Sequence, residues 1–152
     1  MTIEEIMSNH PVTTVKSLLS AVSLLFILSS CGSSGNGPQF GNVTGTITLD
    51  GAPLPFAKVE FQPEKARPSV GLTNENGQYT LGYSVAQKGA IQGQHVVRIA
   101  LATPDEVGGE DSKAIVELRK RVKIPDRFNK DSGLTAEVKK GNNNLNFELT
   151  SK

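Results

Sequence analysis

Tryptophan is absent from this 152-residue chain, cysteine occurs once and histidine twice. The lone cysteine, Cys31, cannot close an internal disulfide or assemble a cysteine-based zinc cluster. His10 and His95 are too few for a histidine cluster doing general acid–base work, and the same shortage argues against a nucleophilic triad. Excess charge of one sign is missing as well, since 16 Lys+Arg face 15 Asp+Glu for a net +1. Nucleic-acid binders concentrate positive charge, so no nucleic acid is expected as a partner. No apolar run reaches the roughly 20 residues that a helix needs to cross a bilayer. The length fits one domain.

What is present begins with Leu18–Leu28 (LLSAVSLLFIL), an apolar run broken only by two serines, preceded by Lys16 and followed by small residues. That is the layout of an export signal. Its end, Leu28-Ser29-Ser30-Cys31-Gly32, resembles the lipobox of bacterial lipoproteins. The resemblance implies a diacylglyceryl group on the Cys31 thiol, cleavage before Cys31 and further acylation of the new amino terminus, with Leu28, Ser29, Ser30 and Gly32 as the recognition frame. Each buried acyl CH₂ contributes about 0.8 kcal/mol, and two or more chains hold a domain stably on a bilayer. The alternative is a free thiol behind a general secretory cleavage site. Glu4 and Glu5 precede Lys16 and the apolar run, and both Met1 and Met7 stand available as starts. Gly32 rather than Asp after the cysteine resembles the enterobacterial signal for the outer membrane. Residues 1–30 thus read as a lipoprotein signal peptide and 31–41 as lipidated cysteine plus linker, the latter from Gly32-Ser-Ser-Gly-Asn-Gly-Pro-Gln-Phe-Gly41.

Residues 42–152 alternate with a period of two. Val43, Ile47 and Leu49 interleave with Thr44, Thr46 and Thr48, and Ala57, Val59 and Phe61 with Lys58, Glu60 and Gln62. The pattern recurs at Val70 and Leu72; at Tyr79, Leu81 and Tyr83; at Val97, Ile99 and Leu101; at Leu134, Ala136 and Val138; and at Leu145, Phe147 and Leu149. Successive strand side chains face opposite ways, so each segment buries one face. Asp50-Gly51, Asn76-Gly77 and Gly141-Asn142 supply turn residues that tolerate positive φ. The expectation is an all-β, seven-stranded antiparallel β-sandwich of transthyretin-like or Ig-like kind. Between strands five and six, Pro104 to Phe128 is polar, with Ile115, Leu118 and Val122 at helical spacing, which predicts a short helix or an irregular excursion.

Gly45-Thr-Ile-Thr-Leu-Asp50-Gly51-Ala-Pro53-Leu-Pro55, Ala57-Lys-Val-Glu-Phe61 and Thr73-Asn-Glu-Asn-Gly77-Gln-Tyr79-Thr-Leu81 together resemble the carboxypeptidase regulatory-like domain. Ile124-Pro125-Asp-Arg-Phe128-Asn129 and Ser132-Gly133-Leu134-Thr-Ala-Glu-Val138 look like the version in small planctomycete-type lipoproteins. The resemblance implies a transthyretin-like sandwich and a surface setting, not a reaction. Transthyretin-like hydrolases carry several histidines and a C-terminal Tyr-Arg-Gly-Ser; here the chain ends Leu149-Thr150-Ser151-Lys152, and His95 reads as a strand-surface or turn residue.

No cofactor or metal motif emerges. Asn74-Glu75-Asn76-Gly77 reads as a turn rather than a calcium loop, and Asp105, Glu106, Glu110 and Asp111 as a solvated loop. Arg119, Lys120, Arg121 and Lys123 form a candidate contact for an anionic surface, against the plainer alternative of a solvated helix face. Phe40, Phe56 and Phe128 are the candidate exposed rings for sugar binding. The resulting expectation is a lipid-anchored, noncatalytic structural or interaction module of the bacterial cell envelope. Its partners would be the membrane, through the lipid, and an envelope protein or polysaccharide. A glycan- or peptide-binding module using loop ends is the alternative, and an orphan hydrolase a third.

Overall fold

The computed structural model describes residues 37–152. Among them ten strands form: β1 (Phe40–Leu49), β2 (Ala52–Pro53), β3 (Ala57–Pro63), β4 (Ser69–Leu72), β5 (Gln78–Thr80), β6 (Ala90–Ile91), β7 (Gly93–Leu101), β8 (Thr135–Val138), β9 (Gly141–Asn144) and β10 (Phe147–Leu149). The first sheet is built on β1. Along one edge β6, β5 and β2 follow one another antiparallel to it; along the other, β9 and then β10 run parallel. The second sheet, β4-β3-β7-β8, is antiparallel throughout. The two sheets meet where Val70 and Gly82 exchange two backbone hydrogen bonds of 2.9 Å.

The alternation read from the sequence places the core. Val43 and Ile47 of β1, Val59 and Phe61 of β3, Val97 and Ile99 of β7, with Leu81, Val138 and Leu149, are buried in one cluster drawn from both sheets. Removing a side chain of this kind from water stabilises the fold by about 1.5–3 kcal/mol.

The seven expected strands all occur, but the count is ten because three more segments complete the pairing of β1. Ala52–Pro53 and Ala90–Ile91 are two residues long, too short to show a period, and β9 reads Gly-Asn-Asn-Asn with nothing apolar. The antiparallel expectation fails at β9 and β10, because a strand returning from the far end of the chain can enter either way along a free edge. In β4 the expected face is reversed: Ser69 and Gly71 are buried, whereas Val70 and Leu72 are 37% and 39% exposed. The cause is close packing, since a Cβ at Gly71 would lie 2.6 Å from the Thr80 carbonyl oxygen. Only small residues fit inward there. β1 begins at Phe40, inside the segment read as linker.

The excursion between β7 and β8 is helical: α1 (Pro104–Val107), α2 (Asp111–Arg121) and a 3-10 turn at Asp126–Phe128. Glu106 reaches back to accept the Thr103 amide at 2.7 Å and also accepts from the Lys58 ammonium at 2.7 Å, closing the start of α1. Ile115 is the buried residue of α2, and Arg119, Lys120 and Arg121 occupy its last turn, where cations complement the helix dipole. The acidic residues read as a solvated loop therefore sit in and between two helices.

Candidate functional site

Cys31 and its frame, Leu28, Ser29, Ser30 and Gly32, lie outside the described residues. The remaining sequence candidates can be placed. Arg119 donates to the carbonyl oxygens of Leu101 at 2.9 Å and Ala102 at 2.8 Å, tying α2 to the end of β7. Lys120 pairs with Glu117 at 2.7 Å. Arg121 and Lys123 are exposed and make no ion pair among the described residues. The four cations are thus two structural groups and two free ones. Between α2 and β7 a groove of about 270 Å³ is lined by Arg119, Lys123, Leu101, Val122, Ile124 and Asn129.

His95 is not a surface residue. It lies inward on β7, 3% exposed, with its ring centroid 5.7 Å from that of Phe61. Its Nε2 lies 2.7 Å from the Ile91 carbonyl oxygen and so carries the proton and donates; Nδ1 is a buried acceptor with no partner. Among the described residues no three His, Cys, Asp or Glu side chains gather as metal ligands would. Asn74 Oδ1 accepts the amides of Asn76 and Gln78, each at 3.0 Å, so its oxygen is engaged in closing the turn.

The rings taken as exposed are half-buried. Phe128 packs against the core, with the Arg127 guanidinium 4.6 Å from its ring centroid, and Phe56 is a turn residue at φ 54°. Phe40 meets Tyr83 edge-on at 5.0 Å, and Arg67 stacks on the other ring at 4.8 Å while donating to the Tyr83 carbonyl. The alternation puts Tyr83 on the buried face with Tyr79 and Leu81. Instead β5 ends at Thr80, the Gly82 bridge to β4 interrupts the period, and the ring joins Phe40.

Phe40 stands on the outward face of β1, in line with Asn42 and Thr44. Asn42 pairs across to Asn142 of β9, and Thr44 lies between Thr80 of β5 and Asn144 of β9. These neighbours form a groove of about 430 Å³ lined by Asn42, Thr44, Thr80, Lys88, Asn142 and Asn143. The opposite solvent face, on the second sheet, is charged, with Arg98 on Glu60 at 3.3 Å and Lys58 on Glu106 at 2.7 Å. The alternation alone does not reveal this groove. Half of it was visible as the polar side of the Asn42-x-Thr44 alternation; the other half depends on β9 returning beside β1.

No family model matches the chain, and no curated protein matches it. Among solved structures it is similar to a DUF3823 family protein from Parabacteroides merdae, at 14% identity and a TM-score of 0.42, over 75% of this chain and 47% of that one. The chain spans about half the length of that neighbour.

Proposed function

We propose that the protein is a lipid-anchored, noncatalytic β-sandwich module of the bacterial cell envelope, held by acyl chains on Cys31. The observation that carries this reading is the position of the chain's one cysteine, directly behind the Leu18–Leu28 run in Leu28-Ser29-Ser30-Cys31-Gly32, with β1 starting at Phe40. Residues 32–39 then serve as a short tether. The order of the Gly45, Ala57, Thr73 and Ile124 motifs supports a carboxypeptidase regulatory-like, transthyretin-like module, and Gly32 supports the outer membrane as destination. A structural or interaction role is supported by the burial of His95 on β7, where its Nε2 donates to the Ile91 carbonyl oxygen. An anionic-surface contact in this reading falls to Arg121 and Lys123, since Arg119 and Lys120 are already engaged.

The test is Cys31→Ala in the native host. Expected are a shift from membrane to soluble fractions and loss of labelling by an alkyne palmitate analogue. Membrane fractionation and labelling that survive the substitution, or an intact precursor by mass spectrometry of the native protein, would refute it.

A further inference from the structure

We infer that the solvent face of the first sheet is a binding site for an uncharged oligosaccharide, seated in the groove between Asn42, Thr80, Lys88 and Asn142. The groove's 430 Å³ falls within the range of small-ligand sites, about 300–1,000 Å³. Its lining offers unspent hydrogen-bonding groups. Asn42 donates Nδ2 to Asn142 Oδ1 at 3.1 Å, which leaves Asn42 Oδ1, Asn142 Nδ2, the Thr80 hydroxyl and the Lys88 ammonium without a protein partner among the described residues. Neutral amides and hydroxyls both donate and accept, as sugar hydroxyls do. The half-buried Phe40–Tyr83 pair, with the Arg67 guanidinium over the Tyr83 ring, continues the same face one strand period from Asn42 and borders the groove.

The same features select against other ligands. No carboxylate lines the groove and its one cation is Lys88, so a polyanion finds little complementary charge. A peptide adding as a strand would sit at a free edge such as the outer side of β9 rather than over β1, whose edges are both paired at this level, to β5 and β6 on one side and β9 on the other. The site lies on a sheet face rather than at the loop ends, and it does not depend on the lipid anchor.

The full chain, purified in detergent, is titrated calorimetrically with N-acetylchito-, cello- and xylo-oligosaccharides and, as an acidic arm, with oligogalacturonates. Expected is saturable binding to a neutral series, with the Asn42 and Asn142 side-chain amide signals shifting in NMR spectra. Asn142→Ala and Thr80→Val should each weaken binding about fivefold or more, as loss of one hydrogen-bonding group does. Thr80→Val keeps a β-branched residue on an exposed strand position and so reports on the hydroxyl even if Asn142→Ala disturbs β9. Arg121→Ala, on α2, should change nothing. Absence of saturation with every neutral series overturns the inference, as does binding confined to oligogalacturonates and abolished by salt or by Lys88→Ala.

Discussion

The Tyr79 hydroxyl donates to the Leu145 carbonyl oxygen at 2.6 Å, joining the segments on opposite edges of β1. Tyr79 pairs with Gly45 on one edge, and Leu145 lies between β9 and β10 on the other. Gly45 makes the crossing possible: a Cβ there would sit 1.9 Å from the Leu145 oxygen and 2.9 Å from the Tyr79 ring. One residue on, the Asn146 side chain accepts the Thr46 amide at 2.8 Å, so a side chain carries the ladder over the break between β9 and β10.

Tyr79→Phe should therefore leave the Leu145 carbonyl without this donor and cost about 1–3 kcal/mol. Urea unfolding should show a lower midpoint at unchanged slope. Gly45→Ala should be worse, beyond about 4 kcal/mol, because neither a backbone carbonyl nor a packed ring can give way by the distance required.

Burial holds the Tyr79 phenol well above its ordinary value of 10.0. The unfolded chain releases that proton first as pH rises, so the stability it contributes is complete below pH about 10 and lost above it. Chemical denaturation between neutral pH and strongly alkaline pH should show a fall that Tyr79→Phe makes shallower. Equal slopes in both proteins would contradict the assignment.

Glu106 behaves with the opposite sign. The hydrogen bond from Lys58, followed by that from the Thr103 amide, holds its carboxyl below the ordinary 4.5. Its contribution is present above that value and lost as pH falls through the lower folded value. Glu106→Gln should remove part of the acid sensitivity, and a carboxyl titration by NMR should show the depressed midpoint return toward normal in Lys58→Met.

Arg119 and Ile115 hold α2 in place, one through two carbonyls and the other by complete burial. Ile115→Ala should cost about 2–5 kcal/mol, and Arg119→Ala about 1–3 kcal/mol. Hydrogen exchange should localise both losses to residues 111–121. Arg121→Ala and Lys123→Ala should stay within about 0.5 kcal/mol of the parent.

Much of this architecture was legible where the period of two was long enough to read. Val43 and Ile47, Val59 and Phe61, and Val97 and Ile99 announce their inward faces, and all six are buried. Ile115 and Leu118 announce a helix. Val70 and Leu72 misled, because at a four-residue strand the space available under Gly71 outweighs hydrophobicity. Tyr83 misled because Gly82 breaks the alternation, and Arg119 gave no sign that its guanidinium would be occupied by backbone carbonyls.

From the sequence alone came the β class, the buried face of each long strand and the helical insertion, all of which rest on residues near one another in the chain. Tertiary structure decided which edge of β1 the last strands occupy, their parallel direction, the passage of Tyr79 to Leu145 and the joining of Asn42 to Asn142. Each of those depends on residues far apart in the chain meeting at one place, and a local period carries no record of which distant backbone will fill a free edge.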